Sequence, residues 1–146
     1  MIEAAKREEG PLQYERLVNE VRREAGLELG EQAARCTEAF LETLGELLSK
    51  TERDHLAAEL PGGLKEAVRR RPGLQVFNLE EFYERVRARA DVGYPEAVKQ
   101  ARAVAAVLRR QVSAGELEDV LRELPAGYAE LLGEAPPGPL SPSRVD

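Results

Sequence analysis

The residues best suited to chemistry are few. His55 is the only histidine, and Glu52 and Glu59, three and four positions away, share its face of a helix. One imidazole between two carboxylates suggests a metal site. Structural zinc ordinarily takes four Cys or His ligands and catalytic zinc usually more than one imidazole, so the expected metal set is none. Asp119 stands at the corresponding place later in the chain, and His55 therefore reads as a polar, exposed position. Frequent glutamates could bind magnesium through carboxylates alone, yet no spacing selects particular ones. Cys36 is the only cysteine, which excludes an internal disulfide and any multi-cysteine metal site. It lies at an apolar helical position and reads as a small core residue. The chain has no P-loop, no G-x-G-x-x-G after a strand, no G-x-S-x-G and no H-E-x-x-H. No catalytic residue, no cofactor and no enzymatic activity are expected.

The sharpest basic cluster is Lys65, Arg69, Arg70 and Arg71. It is the candidate contact for an anion or an acidic partner, although cations at a helix C-terminus also complement the helix dipole. Arg85, Arg89, Arg102, Arg109 and Arg110 add positive charge further on, with Glu80, Glu81 and Glu84 interleaved. That mixture reads as a solvated face with intrahelical pairs, not as a track for phosphates. Tyr94 and Tyr128 stand beside turns, where an aromatic either covers the core edge or anchors a partner.

Acidic residues outnumber basic ones 27 to 21, giving a net charge of −6 over 146 residues. This balance disfavours nucleic acid or an anionic membrane as the main partner. Residues 1–10 alternate charges without an apolar core, and no run approaches eighteen apolar residues, so neither export nor membrane spanning is expected and the location is expected to be cytoplasmic. Arginine exceeds lysine, and Ala, Gly and Pro are abundant, as in the product of a GC-rich bacterial genome. The length fits one domain with a substantial core.

The elements that must position these residues are helical. Leu17, Val18, Val21 and Ala25 form one apolar stripe; Ala33, Cys36, Thr37, Phe40, Leu41, Leu44 and Leu48 form a second; Leu56, Leu60 and Leu64 continue a third. Sliding the sequence by sixty-four residues aligns Ala33 with Ala97, Leu44 with Leu108, Ser49 with Ser113, Glu52 with Glu116 and Leu60-Pro61 with Leu124-Pro125. Before Ala33 the offset becomes sixty-five, matching Leu17 to Phe82 and Val21 to Val86, so one residue was gained or lost between Leu27 and Ala33. The chain reads as a tandem duplication in which two marginal halves pool one core.

Ser49 with Glu52 and Ser113 with Glu116 satisfy the S-x-x-E capping box, in which serine caps the helix and glutamate reaches back to the cap N–H. Asn78 with Glu81 resembles the same device, and Phe77 with Phe82 a hydrophobic staple, which starts a helix at Leu79. Leu-Pro at 60–61 and 124–125 breaks the preceding helices, and short fourth helices follow over 64–70 and 128–132. The stretch "LQVFN" at 74–78 is the nearest to a strand and reads better as part of the connector.

With those elements placed, "FYERVRARADV", "ARAVAAVLRRQVSAGELEDVLRELPAGYAELL" and, more loosely, "CTEAFLETLGELLSKTERDHLAAELPGGLKEAV" resemble the bacterial DUF2267 family. The resemblance covers nearly all of 14–132. It implies a small all-helical bacterial protein of unknown function and transfers no catalytic residue. Thr51 departs from the family's S-x-G-E form, where Gly115 keeps it.

The sequence therefore predicts a single all-α helical-bundle domain over 11–134, built from two tandem, pseudo-equivalent halves. Half one is 12–71, half two is 77–133, and the linker is 72–76. An N-terminal arm occupies 1–10 and a Pro-rich flexible tail 135–146. The leading functional expectation is a non-enzymatic protein-interaction or regulatory module that binds another protein or itself. The alternatives are a nucleic-acid-associated protein using an arginine-rich face and a small-ligand binder or enzyme with an unrecognised site.

Overall fold

The computed structural model describes residues 2–133, and for 2–11 the backbone alone. The expected tail lies outside the described residues. Eight helices run in order, with no strand among the described residues: α1 (Ile2–Ala25), α2 (Gly30–Leu47), α3 (Lys50–Ala58), α4 (Gly62–Arg69), α5 (Leu79–Ala90), α6 (Tyr94–Gln111), α7 (Ala114–Glu123) and α8 (Ala129–Leu132). α1 takes in the stretch from residue 2 that was expected as an arm; its Ala, Glu, Lys and Arg are good helix formers. None of these helices is long and apolar enough to cross a membrane.

The bundle is arranged around α2, which packs on α1, α4, α5 and α6. Every member of its predicted stripe is buried. Thr37 and Thr43, also buried, return their hydroxyl protons to the carbonyls of Ala33 (2.7 Å) and Ala39 (2.8 Å). At Gly45 a Cβ would stand 2.1 Å from the Val68 carbonyl oxygen, so only glycine lets α4 approach α2 this closely. α6 packs on α1, α2 and α5, and α3 packs on α4 and α7. The central aromatics meet edge to face: Phe82 lies 5.2 Å from Phe40 and 5.7 Å from Tyr128, ring centre to ring centre.

Tyr128 corrects an expectation. It is fully buried and cannot anchor a partner, because its hydroxyl donates to the carbonyls of Phe77 (2.9 Å) and Asn78 (3.0 Å) inside the bundle. Tyr94 remains partly exposed. Cys36 is buried, and desolvation pushes its thiol up to about 12, which suits the core role expected of it. Ala101, Ala103 and Ala105 face inward, so close helix approach is spent within the bundle.

The turns follow local chemistry. α1 ends at Gly26 (φ 68°) and α5 at Asp91 (φ 60°), each a left-handed C-terminal residue, and the loops that follow run over 26–29 and 91–93. Helix α5 starts at Leu79, with Asn78 Oδ1 accepting from the Glu81 N–H at 2.9 Å and both staple phenylalanines buried.

Candidate functional site

The capping serines lead to the site. Ser49 Oγ accepts from the Glu52 N–H (3.1 Å) and Ser113 Oγ from the Glu116 N–H (3.2 Å), as half of each capping box requires. The other half is not made within either helix. The N–H of Ser49 donates to Glu123 Oε1 (2.8 Å) and its hydroxyl to Glu123 Oε2 (2.8 Å). Glu59 receives the same pair of bonds from Ser113, at 2.8 and 2.9 Å. Packing of α3 on α7 brings the acidic end of each helix to the N-terminus of the other, where a carboxylate also meets the positive end of the helix dipole.

Glu52 and Glu116 are thereby released from capping and turn into the seam. Each is only 7% exposed. Their ligand oxygens and a ring nitrogen of His55 all lie within 4.8 Å of one another. The Oε2 atoms of both glutamates are buried with no hydrogen-bond partner. Desolvation, followed by a hydrogen bond to Glu52 that holds the proton, then by the charge of Glu52 and those of Glu59 and Glu123, pushes the Glu116 carboxyl up to about 8. His55 is exposed, as expected, with Nδ1 3.9 Å from Glu52 Oε1. The sequence paired His55 with Glu52 and Glu59; the tertiary structure commits Glu59 to Ser113 and brings in Glu116 instead.

The basic cluster has a different fate. Lys65 Nζ donates to the carbonyls of Ala57 (2.7 Å) and Leu60 (2.8 Å), closing the C-terminal end of α3. Arg69 Nε meets Asp54 Oδ1 at 3.1 Å, Arg70 pairs with Glu42 and with Glu38 (3.6 Å), and Arg71 Nε meets Glu42 Oε1 at 3.2 Å. All four cations therefore have intramolecular acceptors, and the three arginines remain at the surface.

The second-half arginines are committed as well. Arg89 reaches both oxygens of Glu46, at 2.9 and 3.1 Å, and Arg85 Nη1 reaches Glu46 Oε1 at 3.1 Å while its guanidinium lies 3.9 Å from the centre of the Phe77 ring. Arg110 pairs with Glu20 and Glu24. Arg109 donates to the Leu131 carbonyl at 2.8 Å, tying α6 to α8.

The connector between α4 and α5 is extended and bonded to the end of α2, through Leu74 N–H to Leu48 O (3.2 Å) and Gln75 N–H to Glu46 O (2.8 Å). Leu74 and Val76 project outward, 72% and 84% exposed, and Leu74 holds a left-handed φ of 61°. Sequence reading missed this display because it treated 72–76 only as a linker.

The described residues thus form an all-helical bundle. The family model described as "Uncharacterized conserved protein (DUF2267)" matches residues 14–131, and the chain belongs to that family. No curated protein matches it.

Proposed function

We propose that the chain is a non-enzymatic protein-interaction or regulatory module of a bacterial cytoplasm, built by tandem duplication of one helical unit, whose partner contact is the connector between the units. The observation that carries this reading is the outward display of Leu74 and Val76 on backbone bonded to α2. A leucine at left-handed φ costs roughly 1 kcal/mol or more, which a flexible spacer with no other duty would shed by substituting glycine. Two exposed apolar side chains one residue apart on a pinned segment suit a partner that supplies an apolar pocket.

Three correspondences support the duplication. Gly26 and Asp91, related by the offset of sixty-five, share the left-handed conformation. The serine–glutamate bonds between α3 and α7 are reciprocal. Glu46 pairs with Arg85 and Arg89, whereas Arg110 pairs with Glu20 and Glu24, so the corresponding positions keep their partners with the charges reversed. Those ion pairs also favour a protein partner over nucleic acid, since phosphates would have to compete with carboxylates already in place.

Leu74→Gly tests the reading because it separates stability from binding. The variant is expected to melt higher, from relief of the backbone conformation, and to lose the partner or self-association expected of the wild-type chain in affinity capture and sedimentation. Unchanged association in Leu74→Gly combined with Val76→Ser would overturn the assignment of the surface.

A further inference from the structure

We propose that the α3–α7 seam is a binding site for a divalent transition metal of the Zn2+ type, with Glu52, His55 and Glu116 as its protein ligands. The site is independent of the connector reading above. Its three ligand atoms already lie within 4.8 Å of one another. Donors on a common ion at about 2.0–2.2 Å stand roughly 3–4 Å apart, so closure requires only a small adjustment. The exposed His55 side chain has the freedom to make it.

The second observation is the state of the carboxylates. Glu52 Oε2 and Glu116 Oε2 are buried and, with both carboxyls ionised, unpartnered, on residues more than nine-tenths buried whose carboxylates are close neighbours. A buried polar atom without a partner is costly, and a carboxyl beside a second one can ionise only against the other's charge, which compounds that cost. The usual sources of relief are committed elsewhere. The cap N–H groups of Ser49 and Ser113 are taken by Glu123 and Glu59. Lys65 is bonded to backbone carbonyls, and Arg69, Arg70 and Arg71 to other acids. A cation bound between the two oxygens would satisfy both atoms and turn their repulsion into attraction.

The donor set selects the class of ion. An imidazole nitrogen with two carboxylates suits zinc and its neighbours in the transition series, whereas magnesium and calcium prefer oxygen alone. Three protein ligands with an exposed histidine at the edge leave a position for water. The ion would also join α3 to α7, and so the first half of the chain to the second.

The test uses the full chain stripped with EDTA at neutral pH. Thermal melting and titration calorimetry are run with ZnCl2, and with MgCl2 as the comparison, on wild type, Glu116→Gln and His55→Ala. One Zn2+ is expected to bind per wild-type chain and raise its melting temperature, with a much smaller response to Mg2+. Glu116→Gln, relieved of the like charge, is expected to melt higher without metal and to lose the Zn2+ response. His55 is exposed, so His55→Ala should fold normally and bind Zn2+ more weakly. A wild-type chain indifferent to Zn2+ would overturn the proposal, as would equal Zn2+ responses in all three proteins, which would place the ion elsewhere. A Glu116→Gln chain that melts higher beside an unresponsive wild type would assign the seam to a shared proton and likewise end the metal reading.

Discussion

Glu46 and Glu116 are nearly equally buried, at 4% and 7% exposure, and their surroundings push their carboxyls in opposite directions. Around Glu46, desolvation is outweighed by hydrogen bonds and charge from Arg89 and Arg85, and the carboxyl is held below its ordinary range. Around Glu116, desolvation is reinforced by Glu52, Glu59 and Glu123, and the carboxyl rises to about 8. One site fastens α5 and the connector to α2. The other leaves two oxygens unsatisfied between α3 and α7. Burial of an acid therefore has no fixed meaning here; the charges on the facing helix decide whether it is a clamp or a crowded pair of acids.

Removing the clamp should have the largest effect. Glu46→Gln leaves the part-buried Arg89 without its counter-charge and Arg85 with Glu81 alone, and is expected to cost about 3 kcal/mol, read as a lower midpoint in urea denaturation. Glu116→Gln should act with the opposite sign, stabilising the metal-free protein by roughly 1–2 kcal/mol, because an amide can donate to Glu52 where a carboxylate repels it. A loss of stability in Glu116→Gln of the size expected for Glu46→Gln would erase the contrast between the sites.

The pH dependence sharpens the same contrast. The Glu116 carboxyl rises on folding from an ordinary value near 4.5 to about 8, so the folded state binds the proton more tightly than the unfolded state. Its contribution to stability is fully present below about pH 4.5 and is lost as the pH rises through about 8. With EDTA present, wild type is expected to lose stability relative to Glu116→Gln across this window. Parallel pH profiles for the two proteins would show that Glu116 does not carry the effect. The charged groups facing it are Glu52 and Glu59 on α3 and Glu123 on α7.

The smallest effect expected is at the caps. Ser113→Ala removes the acceptor for the Glu116 N–H and one of the two bonds to Glu59, and should cost about 1 kcal/mol by thermal melting. Ser49→Ala should match it, since Ser49 makes the same set of bonds with Glu52 and Glu123. A large inequality between the two variants would mean that the seam is not balanced as its bonds indicate.

Much of this was legible before folding was considered. The apolar stripes of α1 and α2 are buried as their spacing requires, because a 3.6-residue period leaves a helix one face to hide. The starts at Lys50, Leu79 and Ala114 follow from Ser49, Asn78 and Ser113, whose side chains act on N–H groups three residues away. Such local interactions need no knowledge of the rest of the molecule.

The candidate site was only partly legible, for the converse reason. His55 and Glu52 could be paired from their spacing on one helix, but Glu116 lies sixty-four residues beyond Glu52 and joins them only when α3 meets α7. The S-x-x-E pattern identified the helix starts correctly and misassigned the glutamates. Glu52 and Glu116 were expected to close their own caps, yet Glu123 and Glu59 reach those N–H groups from the opposing helix. The arginines were read as a solvated, mixed face because sequence shows charge without showing which carboxylate it will meet. Helix positions and inward faces were thus written locally in side-chain type and period. Which acids are neutralised, which are crowded together and which cations are already engaged depended on the packing of helices distant in the chain, because charge interactions act across whatever surfaces the fold brings within a few ångströms.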